Sequence, residues 1–327
     1  MPLTTDEKLL TLSRGVVQGF DKANGGVHPG FRPAHAKGIL LTGTFTPSSE
    51  AVSLTRAPHC QRKSTQVTVR FSNFAGIPAV PDNDAQGASP RGCAIRFHLA
   101  EHSHTDIVAH SVDSFPSRTA EGFLDFINAL IATDPAGPHP NAIEQFLGSH
   151  PAALAFVQAP KPIPTSFARE SFFAVSAFRF INEDGAVRYG RYRVLPAAGN
   201  EYLDEAGAAG KAPNFLFDEI EGRIAKGPVR FRIVVQLAKD GDTIDDGTVR
   251  WPEDRPQAAF GEFSLTGIVP NNAGEQQHII FDPIPRVDGI EASADPLFEP
   301  RANVYLLSGR RRRAAGDSQT IKPREAA

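Results

Sequence analysis

Short runs of β-branched and aromatic residues recur along nearly the whole chain, each closed by Gly, Pro, Asn or Asp, and a chain with that rhythm folds as sheet. Residues 39–45 (ILLTGTF), 66–72 (QVTVRFS), 93–99 (CAIRFHL) and 106–111 (DIVAHS) are the first candidate strands. Residues 172–182 (FFAVSAFRFIN) read as one long strand. The turn Glu183-Asp184-Gly185 then returns the chain along 186–196 (AVRYGRYRVLP) as a hairpin. Residues 229–237, 262–270 (EFSLTGIVP) and 278–285 (HIIFDPIP) complete the series. Helical spacing is confined to a few places. An opening amphipathic helix carries Leu9, Leu12, Val16 and Phe20 on one face, with Thr4 and Glu7 as a capping box. Phe123, Phe126, Ile127, Leu130 and Ile131 mark a second helix, and 141–147 and 151–157 two short ones. The pattern predicts an α+β, β-rich protein. With no internal repeat and no break in composition, one domain is expected over 1–327, with a helix or arm at 1–26 and a flexible tail at 314–327.

The chain has 327 residues, enough to bury a sizeable core. Its formal net charge of -3 offers no basic field for nucleic acid. Phenylalanine dominates the aromatics, with 23 against one Trp and four Tyr; such an interior suits a large apolar cofactor or packs on itself. Cys60 and Cys93 stand alone in no metal-ligand spacing, as expected of a reducing compartment. Asp6, Glu7 and Lys8 precede any apolar cluster, unlike an export signal. No apolar run reaches the length of a membrane span. A cytoplasmic protein is expected. The acidic stretch 240–248 (DGDTIDDGT) lacks the carboxylate that would close a calcium loop, so it reads as a solvated turn.

Near the C-terminus, Arg301 and Tyr305 sit four residues apart in a segment that starts like a helix. Ser293 and Asp295 are candidate caps, and Pro296 suits the first helical position. Residues at that spacing share one helix face. A guanidinium beside a phenol favours its ionised form, and tyrosinate is an uncommon ligand of haem iron. The same spacing also arises in helices with no such role. Pro300 removes a backbone donor early in this segment, so the helix is expected to kink or to start later.

Four separated stretches, RPAHAKG (32–38), VRFS (69–72), PRGCAIRF (90–97) and FDP…GIEAS…R-x-x-x-Y (281–305), follow one another as they do in haem catalases. The chain resembles the short catalase-related peroxidases, which keep little beyond the haem-binding core. The resemblance covers about residues 20 to 313. It implies a closed antiparallel β-barrel of eight strands with flanking helices and an N-terminal arm, and a haem b cofactor without NADPH. It gives Tyr305 as the iron ligand and Arg301 as its charge partner. His35 is then the distal histidine that moves a proton between the two oxygens of a peroxide. Ser72 orients His35; Arg32, Arg70 and Arg312 pair with the haem propionates; Phe123 packs on the porphyrin.

Three positions depart from the catalase pattern. His110 stands where catalases have an asparagine that donates to peroxide, which a histidine does only in a suitable tautomer or as a cation. Ser89 replaces a channel aspartate before Pro90, and Phe74 replaces a small valine in the same channel. Together they imply a peroxidase that reduces hydrogen peroxide or a small organic peroxide with a small organic electron donor, retaining weak catalase activity. Such a protein is expected to be a monomer or homodimer. A haem-dependent hydroperoxide isomerase or lyase of the allene oxide synthase type, a haem carrier or sensor, and a haem-free binding protein are the alternatives.

Overall fold

The computed structural model describes residues 2–316. The chain opens with α1 (Glu7–Ala23), followed by β1 (Gly38–Pro47), α2 (Ser49–Leu54), β2 (Thr65–Ser72), β3 (Gly92–Ala100) and β4 (Ser103–His110). Three helices come next, α3 (Ala120–Ile131), α4 (Ala142–Ser149) and α5 (Pro151–Gln158), then β5 (Phe172–Phe173), β6 (Phe178–Ile181) and β7 (Val187–Pro196). The last third holds α6 (Glu205–Ala209), α7 (Phe215–Lys226), β8 (Val229–Leu237), β9 (Gln257–Ile268), α8 (Asn272–His278), β10 (Ile290–Ala292) and α9 (Phe298–Ala314).

Among the described residues, all ten strands join one sheet, in the order β10-β6-β7-β5-β4-β3-β2-β1-β9-β8. A further pairing of β7 with β8 closes eight of them into a barrel, while β6 and β10 extend from its side. Closure leaves no open edge along the ring. Strand alternation sets the two faces. In β8, Val229, Phe231, Ile233 and Val235 are buried while Arg230 and Arg232 are exposed. The phenylalanines fill the barrel by packing on one another. Phe71 lies against Phe167, Phe172 and Phe231, and Phe45 meets Phe97 edge-on at 5.0 Å. Most of the aromatic content is therefore core, and the candidate site lies outside it.

Several elements differ from the sequence reading. Residues 172–182 make two strands. The pairings Phe173↔Arg193 and Phe178↔Gly190 leave residues 174–177 opposite only Arg191 and Tyr192, so the surplus loops out. Residues 278–285 make no strand; the carbonyls of Ile279 and Ile280 accept from the Arg32, Arg96 and Arg312 side chains instead. Asp6, rather than Thr4, caps α1, accepting from the N–H groups of Lys8 and Leu9. The last helix starts at Phe298, two residues past Pro296, and Leu297 provides no side-chain cap. It runs to Ala314; the remainder of the expected tail, 317–327, lies outside the described residues. The 240–248 stretch is an ordered turn, in which Asp242 takes Arg255 and Asp245 takes Arg118. Among the described residues no helix is long and apolar enough to cross a membrane.

Candidate active site

One cross-strand row organises the site. Gly38 pairs with Ser72, Ser72 with Gly92, Gly92 with His110, and His110 with Phe173, so residues of five neighbouring strands line up at one end of the barrel. Directly opposed residues present side chains on the same face. Phe71 and Cys93 point into the core, so Ser72 and the open face of Gly92 lie on the outer side of the barrel, where His35 packs. Glycine at the centre of the row is required by crowding. A Cβ on Gly92 would stand 2.6 Å from Ser72 Oγ and 2.9 Å from His35 Nδ1.

His35 reaches this position from the turn before β1, where its backbone is left-handed, with φ at 59°. That conformation is uncommon for a residue other than glycine and marks a locally strained segment. Its N–H donates to the Phe74 carbonyl at 2.5 Å, and its ring Nδ1 lies 3.1 Å from Ser72 Oγ. Burial first, then the charges of Arg70, His110 and Arg32, push the imidazole down to about 3. His110 is likewise pushed down to about 3, by burial and then by Arg301. The Val112 N–H donates to His110 Nδ1 at 3.3 Å, so the neutral ring carries its proton on Nε2.

An apolar wall joins the two histidines. Phe74 meets the His35 ring edge-on at 5.5 Å, Phe20 touches both Phe74 and Phe123, and Phe115 lies 4.8 Å from Phe123 and 6.5 Å from His110. Arg301 Nη2 donates to Tyr305 Oη at 3.4 Å, which brings the pair together as its spacing predicts. His35, His110, Arg301, Tyr305 and Phe123 are only half-buried, although burial is the leading cause of both histidine shifts. They stand outside the packed core of the barrel. Two open surface depressions, about 340 Å³ beside α2 and about 450 Å³ along α7, contain none of these residues.

Arg32, Arg70 and Arg312 converge on the end of α8. Arg32 donates to the Gln276 and Ile279 carbonyls, and Arg70 to Gln276 Oε1 and to the carbonyls of His35 and Ala36. Arg312 donates to Ser308 Oγ and to the Gln277 and Ile279 carbonyls. No carboxylate among the described residues pairs with any of the three. Burial lowers all of them, and each also feels another of the trio: Arg32 feels Arg70, Arg70 feels Arg312, and Arg312 feels Arg32. Two buried cations and a half-buried third, with no carboxylate partner among the described residues, are costly. A ligand carrying two carboxylates, as haem does, supplies the missing counter-charge. The donor set thus fits haem: a phenol with a cation beside it, an imidazole wall, aromatic faces and an arginine trio.

Ser89 is buried, its hydroxyl accepting from Arg91 Nη1 at 2.8 Å. Phe20 could have been found from its place on the opening helix. Asp82, fully buried and bound to Lys37 and Asn73, gives no signal in a loop of polar residues. Asp295, a candidate cap in the sequence, is raised by burial and faces Arg301 and Arg191; its Oδ1 accepts from the Leu297 N–H.

Residues 30–322 match the catalase family. A catalase-related peroxidase of Mycolicibacterium paratuberculosis is 37% identical over 294 residues, covering 88% of this chain and 90% of the relative. Another, from Synechococcus elongatus, is 32% identical over 287 residues, covering 86% and 84%. The crystal structure of a fungal catalase superposes with a TM-score of 0.77 at 22% identity, covering 95% of this chain and 64% of the other. The chain thus spans just under two thirds of that structure, whose likeness establishes the fold. Family match, relatives and barrel agree: the chain belongs to the haem-dependent catalase family and is an oxidoreductase acting on peroxide.

Proposed function

We propose that the protein is a haem b peroxidase that reduces hydrogen peroxide or a small organic peroxide with a small organic electron donor, and that it disproportionates peroxide only weakly. The observation that carries this reading is the arrangement of the Ser72-bonded His35 imidazole and the Tyr305–Arg301 pair beside an arginine trio that no carboxylate among the described residues pairs with. Tyr305 would hold the iron, with Arg301 donating to its oxygen; Arg32, Arg70 and Arg312 would hold the propionates, and Phe123 would pack on the ring. A bound haem supplies the redox chemistry that splits the peroxide bond and accepts the donor's electrons.

The chain's own part is proton handling. His35 is neutral at physiological pH because its protonation is pushed down to about 3. In the tautomer whose Nδ1–H donates to Ser72 Oγ, Nε2 keeps a free lone pair. It takes a proton from one peroxide oxygen and returns it to the other, which leaves as water or alcohol. His110, with Nδ1 occupied by the Val112 N–H, offers Nε2–H as a neutral donor to peroxide, as an asparagine amide would. Phe20, Phe74, Phe115 and Phe123 keep water from this exchange. Weak disproportionation is inferred from Phe74, whose ring stands against His35 where a small side chain would leave the approach open.

The test is the absorption spectrum of protein made with ample haem. A tyrosinate-ligated ferric spectrum that disappears in Tyr305→Phe is expected, with peroxide-dependent oxidation of a dye donor exceeding oxygen release. Unchanged ligation in the variant would overturn the ligand assignment. Conversion of a lipid hydroperoxide without any donor would replace the peroxidase reading with an isomerase or lyase.

A further inference from the structure

Behind the His35–Ser72 pair lies a carboxylate with no place in the chemistry described so far. Asp82 is fully buried, and its Oδ1 accepts from Lys37 Nζ at 2.7 Å and from Asn73 Nδ2 at 2.7 Å. Its Oδ2 accepts from the Leu216 N–H at 2.8 Å, where α7 begins. The Asp82 backbone is engaged as well, its N–H donating to Pro213 and its carbonyl accepting from Arg91 Nη2 at 2.7 Å. Lys37 has no freedom to leave: its ammonium also donates to the carbonyls of Val80 and Pro213 and lies over the Phe217 ring.

Both residues that Asp82 grips by their side chains adjoin the site. Lys37 is two residues after His35, and Asn73 directly follows Ser72. Their backbones are joined too, since Asn73 N–H donates to the Lys37 carbonyl at 3.1 Å. On the other side, His35 N–H donates to Phe74 and Ala36 N–H to Ala75. The segments carrying His35 and Ser72 therefore form a short ladder, and Asp82 bridges them from behind. That matters because His35 holds a left-handed backbone, which surrounding structure must impose. A charged acceptor held by three donors imposes it more firmly than a neutral one.

We propose that Asp82 is a positioning residue for the distal histidine, fixing the His35 imidazole against Ser72 through Lys37 and Asn73. The proposal rests on the reading of His35 as the proton carrier. Misplacing an acid–base group by about 1 Å can cost about 10²-fold in rate.

Cyanide association with the haem-loaded protein separates positioning from general stability. Hydrogen cyanide must lose its proton to bind ferric iron as the anion, and His35 is the group placed to accept it. Association rates and thermal midpoints would be measured for wild type, Asp82→Asn, Lys37→Gln, His35→Ala, and the Asp82→Asn/His35→Ala double variant. Asp82→Asn and Lys37→Gln are each expected to slow association about 10-fold or more while retaining haem, and Asp82→Asn to add nothing in the His35→Ala background. An equal slowing in both backgrounds would make Asp82 merely structural and overturn the proposal. So would an unchanged rate in Asp82→Asn or, should that variant not fold, in Lys37→Gln. If His35→Ala alone leaves cyanide binding unchanged, it is the proton-carrier reading of His35 that falls, and this proposal with it.

Discussion

Gly92 separates Ser72 from His110 in the cross-strand row and lies against the His35 ring. A methyl group at this position would contact both Ser72 Oγ and His35 Nδ1 at less than 3 Å. Gly92→Ala is therefore expected to lower kcat/KM about 10- to 10²-fold by turning His35 out of line, with haem content per chain unchanged; steady-state rates beside pigment absorbance would show it. His110 invites the opposite expectation. Its neutral ring with Nδ1 occupied is a donor through Nε2, the role an amide also fills. His110→Asn should hold peroxidase turnover at pH 7 within about threefold. A loss of about 10²-fold, the range of removing an acid–base group, would show that the imidazole moves protons itself. Much of this neighbourhood was legible in the sequence, because RPAHAKG, VRFS and PRG carry distinctive side chains. Asp82 was not, since its ties to Lys37 and to Leu216 span 45 and 134 residues.

Whether an element forms where its local sequence suggests depends on where its backbone groups find partners. Residues 66–72 and 93–99 became strands as their alternation predicts, since each has a neighbour on both sides. Residues 278–285 look equally strand-like, yet arginines from distant parts of the chain occupy the Ile279 and Ile280 carbonyls. The break in 172–182 is set by the register against β7, which no local property of that run reveals. Pro300 shows the same logic in a helix. As the third residue of α9, it falls where backbone N–H groups have no intrahelical partner, so its missing donor costs nothing there. The helix starts late, as Pro300 suggested, at Phe298. Pro300→Ala is accordingly expected to change unfolding free energy by no more than about 1 kcal/mol. A stabilisation of about 3 kcal/mol on chemical denaturation would show instead that the proline strains the helix.

Taken whole, the molecule buries ionisable groups whose protonation pulls stability in opposite directions. His59 is buried among Phe45, Phe97 and Phe260, with Nδ1 lacking a partner among the described residues. Burial, then Arg62, pushes it from 6.5 to about 3. Between those values the unfolded chain binds a proton that the folded protein refuses, so stability falls as pH drops below 6.5. Glu170 has the reverse sign. Burial raises it from 4.5 to about 7, against the donors Tyr202 and Ser171 and the charge of Arg91. There the folded protein holds a proton that the unfolded chain releases, so this contribution is present below 4.5 and is lost as pH rises through 7. Going from pH 7 to 5, each group shifts stability by about 2 kcal/mol, downward for His59 and upward for Glu170. His35 and His110 add to the downward side, so the thermal midpoint should drop on acidification. His59→Phe, which also removes an unsatisfied buried nitrogen, should lessen that drop by a few degrees, and Glu170→Gln should deepen it by a similar amount. Scanning calorimetry of the three proteins at pH 5, 6 and 7 distinguishes this from a general acid weakness. In the latter case both variants would fall in parallel with the parent.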